Sequence, residues 1–231
     1  MYTLYIANKT YSSWSLRPWA LMRALNIPFQ EKVVNFEAPT NWASFRQFNP
    51  AGKVPCLHDG ETIVWDSLGI TEFLADRHAG VWPSEEKAKI WARCAAAEMH
   101  SGFGNLRGVC PMHVGLRIQI DAIPEGVKSD LARISELWSE GLEKFGGPFL
   151  AGDRFTAIDA FFAPVVFRIQ TYNLPVDAKA GAYVQHMLQQ APIQQWQQDA
   201  LNESWSEVSH EDAAKAAGRL LEDLRKNLTK P

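Results

Sequence analysis

Apolar and polar positions change period along this chain. Tyr2-Thr3-Leu4-Tyr5-Ile6-Ala7 alternates and is rich in strand formers, so it predicts a strand. Asn8 to Ser13 is polar and reads as a loop. Apolar Leu16, Trp19, Ala20 and Leu25 then fall near helical spacing, with Ser15 as a candidate cap and Pro18 in the tolerant first turn. Gln30 to Phe36 predicts a second strand, Trp42 to Phe48 a short helix, and Asn49-Pro50-Ala51-Gly52 its end. Two apolar runs, Val54-Pro55-Cys56-Leu57 and Thr62-Ile63-Val64-Trp65, flank an Asp59-Gly60 turn and predict a hairpin. Asp66 or Ser67 would cap a third helix reaching Arg77.

The order strand, helix, strand, helix, strand, strand, helix predicts an open mixed sheet with helices on its faces. Val81-Trp82-Pro83-Ser84 reads as a linker, and no convincing strand follows it. Helices are expected over Glu85 to Arg107, Ser129 to Phe145, Thr156 to Ile169, Gln185 to Leu201 and Glu211 to Leu228. The expected architecture is an α/β unit over residues 1–80 followed by an all-α unit over 85–231.

Composition narrows the function classes. In 231 residues, 23 Lys and Arg stand against 26 Asp and Glu, a net charge of −3, which argues against a nucleic-acid binder. Cys56, Cys94 and Cys110 contain no CxxC pair, so neither a disulfide framework nor a zinc site is expected, and the scattered histidines make no metal set. The sparse thiols suit a reducing, cytoplasmic setting. The start of the chain lacks the charge and apolar stretch of a signal peptide, and no run is apolar enough for a membrane span.

Four segments carry candidate chemistry. Tyr11-Ser12-Ser13-Trp14-Ser15-Leu16-Arg17 puts hydroxyls and a cation where a strand feeds a helix, and a helix start favours an anion. The same serines also suit plain helix capping. In Asn49-Pro50-Ala51-Gly52-Lys53-Val54-Pro55, Val54-Pro55 is a candidate cis bond, although trans is the commoner state of an X-Pro bond. Asp66-Ser67 at a helix start can hold both ends of an amino acid, or simply cap the helix. Thr156 and Asp159 have capping-box spacing and read as structural.

Taken in this order and spacing, the four segments resemble the cytosolic glutathione transferase superfamily. Ser12-Ser13-Trp14-Ser15-Leu16-Arg17 is similar to the serine motif of zeta-class and related bacterial members, with Trp14 where the zeta motif has Cys. The resemblance implies a thioredoxin-like first domain, an all-helical second domain, a homodimer and glutathione as co-substrate. It implies Ser12, with Ser13 in reserve, as the hydroxyl donating to the glutathione sulfur, with Tyr11 as a weaker alternative and with Arg17 adding positive potential, holding an acidic substrate or simply supporting the helix through a salt bridge. Lys53, Val54, a cis Pro55, Asp66 and Ser67 would bind glutathione. Trp14, Met99, Phe103 and Arg107 would wall the site of a small electrophile, beside His100 and Gly104. The implied function is a transferase adding the thiolate to an apolar electrophile or peroxide. The alternatives are a maleyl-type cis-trans isomerase and a non-catalytic glutathione-binding scaffold.

Overall fold

The computed structural model describes residues 1–37 and 40–225. Its first half is built on four strands: β1 (Tyr2–Ile6), β2 (Phe29–Val33), β3 (Cys56–Asp59) and β4 (Thr62–Trp65). Their order in the sheet is β2-β1-β3-β4. β1 runs parallel to β2 and antiparallel to β3, and β3 and β4 form the expected hairpin. Gly60 takes the positive φ that this tight turn requires. α1 (Ser13–Ala24), α2 (Trp42–Phe45) and α3 (Ser67–Ala75) are interleaved with the strands.

The second half is mostly helical: α4 (Glu86–Ser101), α5 (Gly104–Val109), α6 (Glu125–Phe145), α7 (Ala157–Tyr172), α8 (Ala178–Leu188), α9 (Ala191–Asn202) and α10 (Val208–Ala216). It differs from the sequence expectation at its breaks. The helix expected to reach Arg107 ends at Ser101, because Gly102 caps it and Phe103 turns left-handed before α5 begins. The helix expected over Gln185 to Leu201 is two helices. Pro192 in the first turn of α9 has no N–H to donate to a continuing helix.

The end of the chain departs furthest. Instead of a helix from Glu211 to Leu228, α10 stops at Ala216 and β6 (Arg219–Asp223) pairs antiparallel with β5 (Leu116–Gln119). Residues 226–228 of the expected helix lie outside the described residues. Gly218 makes the turn into β6 possible, because a Cβ there would sit 2.3 Å from the Gln119 carbonyl oxygen. The second half is therefore helical with a small sheet.

One apolar core runs through both halves, from Leu4 and Ile6 of the sheet to Trp138, Phe161 and Trp196 of the helices. α1 packs on α7 and α9, and Trp19 meets Trp196 edge to face at 5.1 Å. α7 sits at the centre, almost entirely buried, and continues unbroken through Pro164. Its start carries the expected capping box, in which the Asp159 carboxylate accepts from the Thr156 backbone N–H at 3.0 Å.

Candidate functional site

The turn between β1 and α1 is held from the far end of the chain. The Glu203 carboxylate accepts from the backbone N–H groups of Lys9 (2.6 Å) and Thr10 (3.1 Å) and from the Thr10 hydroxyl (2.7 Å). The Tyr11 hydroxyl donates to Glu211 at 2.7 Å. Burial and the Glu211 carboxylate both push the tyrosine pKa up, so this phenol does not ionise at neutral pH. Glu211 also takes His113 and Arg225 as partners. Burial opposes its ionisation, but bonds from His113, Arg225 and Tyr11 outweigh that and hold the carboxyl far below its usual range.

Ser12 follows at the N-cap position of α1, yet its hydroxyl makes no capping bond to the backbone. It meets the Ser15 hydroxyl instead, at 2.7 Å. Ser15, expected to cap the helix, lies inside the first turn, fully buried, and accepts from the Ala7 backbone N–H at 3.4 Å. The geometry therefore leaves Ser12 a choice. When Ser15 donates to it, its own hydrogen is free for an acceptor in front of the helix.

That space is a cavity of about 630 Å³. One wall is Tyr11, Ser12, Ser13 and Trp14; a second is Trp42, Gly52, Lys53 and Val54; a third is Gly104, Arg107 and Gly108 of α5 with Arg168 of α7. Phe36 and His210 close the rim, and His210 stacks on Tyr11 with ring centroids 5.0 Å apart. The Val54–Pro55 bond is cis, as the family resemblance implies.

The remaining expected residues divide. Arg17 lies buried behind Trp14, its guanidinium 4.1 Å from that ring and 3.5 Å from the Ser67 hydroxyl. Burial, then the charges of Arg168 and Arg107, lower its pKa to about 9, which still leaves it cationic at neutral pH. Asp66 adopts a positive φ at the start of α3, and one carboxylate oxygen accepts from the Leu68 N–H at 2.8 Å. Its other oxygen has no hydrogen-bond partner among the described residues. Ser67 is buried beside it. Asp66, Ser67 and Pro55 are not among the residues that line the cavity.

Met99 and Phe103 correct the expectation for the electrophile wall. Both sit in the apolar core, and neither lines the cavity. The left-handed turn at Phe103 carries α5 away from the line of α4, so Gly104, Arg107 and Gly108 form the wall instead. Sequence reasoning missed Phe36, Trp42, Arg168 and His210. Arg168 left a legible signal, as the lone charge in the apolar stretch between Ala160 and Ile169. None of the cysteines lines the cavity, and burial raises Cys56 to about 12 and Cys110 to about 11. Among the described residues no group of side chains forms a metal site, and no helix is long and apolar enough to cross a membrane.

The family models for the glutathione S-transferase N-terminal and C-terminal domains match residues 11–77 and 118–186. The chain belongs to the glutathione transferase family. A dichloromethane dehalogenase of Methylorubrum extorquens is 37% identical over 76 residues, which is 30% of this chain and 26% of the dehalogenase. A probable maleylacetoacetate isomerase of Caenorhabditis elegans is 23% identical over 170 residues, covering 71% of this chain and 79% of that protein. A glutathione transferase homologue from Burkholderia, solved with bound glutathione, superposes with a TM-score of 0.65 at 18% identity, over 86% of this chain and 97% of that one. This likeness is one of fold. Within the family fold, the cavity of this transferase lies where β1 feeds α1, between the sheet and the helical half.

Proposed function

We propose that this protein binds glutathione beside the cis Val54–Pro55 bond and adds its thiolate to a small electrophile in the cavity. The observation that carries this reading is the Ser12 hydroxyl. It stands at a helix start, is not spent on capping, faces the cavity and is backed by a second hydroxyl. A helix N-terminus and a hydroxyl donor both favour a sulfur anion over a neutral thiol. Ser13 begins α1 and lines the same wall, so it is the reserve donor.

In this reading the backbone of Val54 takes the cysteinyl unit as an added strand would. The unbonded Asp66 oxygen takes the ammonium of the γ-glutamyl end, with Ser67 on its carboxylate, and Lys53 takes the glycyl carboxylate. Arg17 contributes positive potential from behind Trp14. Ionisation releases the thiol proton to solvent. Conjugation then forms a C–S bond as the leaving group departs with its bonding pair. Reversible addition of the same thiolate would isomerise a double bond, a second reading supported by the nematode relative. The family reading also carries a cytoplasmic homodimer, and exposed Ile63, Trp65 and Ile90 offer apolar surface for it.

The test is a steady-state assay with glutathione and a panel holding an aryl halide, an organic hydroperoxide and a maleyl-type diacid. Turnover of at least one of the three is expected. Glutathione binding with no turnover of any of them would overturn the enzyme reading in favour of a scaffold. Ser15→Ala is expected to lower kcat/KM roughly 3- to 10-fold with the KM for glutathione held, since the loss of one neutral hydrogen bond costs about 0.5–1.5 kcal/mol. An unchanged kcat/KM would remove Ser15 from the hydroxyl pair.

A further inference from the structure

Arg107 and Arg168 line the α5 and α7 side of the cavity, Arg17 lies behind Trp14, and none of the three makes an ion pair among the described residues. The ion pairs that arginines make among the described residues belong to Arg93, Arg133 and Arg225, not to Arg17, Arg107 or Arg168. Among the described residues no acidic side chain lines the cavity, although the chain carries more acidic than basic residues overall. Arg17 and Arg107 both lie against Trp14, their guanidinium groups 4.1 Å and 5.4 Å from its ring centroid.

Their donors are under-used. The Nε atoms of Arg17 and Arg107 are buried and have no hydrogen-bond partner. Arg168 is buried, and donates Nε and Nη1 to the carbonyls of Cys110 (2.8 Å) and Pro164 (3.3 Å). Among the described residues its Nη2 has no hydrogen-bond acceptor, while the residue lines the cavity. Clustering unpaired cations away from water is unfavourable: Arg168 and Arg107 disfavour the charge of Arg17, and Arg107 that of Arg168. An anion bound among them would offset that cost.

There is also room for more than glutathione. Gly104 and Gly108 lie one turn apart on the α5 face that carries Arg107, and a Cβ on either would meet no atom within 4 Å. Under the glutathione reading above, on which this inference rests, the tripeptide's own carboxylates are taken by Ser67 and Lys53. The α5–α7 wall is then left for the second substrate.

We propose that the electrophile bears a carboxylate, and that Arg107 and Arg168 hold it across the cavity from Ser12. The arginines thereby select the substrate class, while the thiolate chemistry is that described above.

The test is calorimetric binding of two product-like probes, S-benzylglutathione and S-(para-carboxybenzyl)glutathione, which differ only by the anion. The carboxylated probe is expected to bind at least about 10-fold tighter, since a charge-assisted hydrogen bond contributes roughly 1.5–3 kcal/mol. Arg107→Gln is expected to bring the two probes to near-equal affinity. Arg107 is only half buried, so this variant is the main one, and Arg168→Gln is included if its thermal melt remains cooperative. Equal affinities in the unaltered protein would overturn the proposal and leave the glutathione reading intact. So would a preference that survives Arg107→Gln. Failure of both probes to bind would overturn the glutathione reading, and this proposal with it.

Discussion

Ser12→Ala is expected to return the bound glutathione thiol towards its free pKa of about 8.5 while the protein keeps most of its affinity for glutathione. A hydrogen bond to a charged acceptor contributes about 1.5–3 kcal/mol, and one pKa unit corresponds to about 1.36 kcal/mol. The single hydroxyl thus accounts for a shift of roughly one to two units. At neutral pH the thiolate fraction, and with it kcat/KM, should fall roughly 8- to 25-fold. The sign is fixed by which form is stabilised: Ser12 donates to the anion, so its loss raises the pKa. Thiolate absorbance, titrated against pH for both proteins, reads the shift directly. A depressed pKa that survives in Ser12→Ala would move the role to Ser13 or to the N–H groups of α1. Tyr11 is not expected to rescue the variant, because its hydroxyl is engaged by Glu211.

The largest effect on stability is expected at Asp159, far from the chemistry. Its carboxylate is fully buried and accepts from the Leu150 N–H (3.0 Å), the Thr156 N–H (3.0 Å), the Thr156 hydroxyl (3.4 Å) and the Tyr183 hydroxyl (2.9 Å). Asp159→Ala leaves those donors buried without an acceptor at about 1–3 kcal/mol each, partly relaxed by movement of the hydroxyls. A loss of roughly 3–5 kcal/mol is expected, read as a drop in the denaturation midpoint. Loss of less than about 1 kcal/mol would show that the network is dispensable.

The pH dependence follows from the same burial, which outweighs the four donors and raises the Asp159 pKa from 3.8 to about 6. The folded state then holds this proton more tightly than the unfolded chain. Its contribution is greatest below the unfolded value and is lost as pH rises through about 6. Asp159→Asn removes that titration. The stability difference between the two proteins should therefore drift over this window, with the aspartate form losing ground as pH rises.

The first half was legible because its signals are local. Alternation marked β1, Asp59-Gly60 marked the hairpin, and a polar segment between strand and helix marked the serine turn. In the second half, helix existence was legible from period, but boundaries depended on single residues. Gly102, Pro192 and Gly218 break what apolar spacing alone would continue. β5 was missed because four residues, Leu116-Arg117-Ile118-Gln119, give too short an alternation to stand alone, and its partner lies about 100 positions later. The candidate glutathione residues were readable as linear motifs. The opposite wall was not, since Phe36, Arg168 and His210 come together only through tertiary packing. Met99 and Phe103 were misplaced for the same reason. Helical spacing says which residues share a face, but not whether that face meets solvent or core.

The bonds from Glu203 to Lys9 and Thr10, and from Glu211 to Tyr11, join the two ends of the chain almost into a ring. Contacts of such long sequence separation close late, after the loop between them has paid its entropy. During synthesis the sheet can form once its strands have emerged, whereas the turn bearing Ser12 waits for residues near the other end of the sequence. The turn bearing Ser12 is thereby tied to contacts that no chain shorter than about 211 residues can make in full.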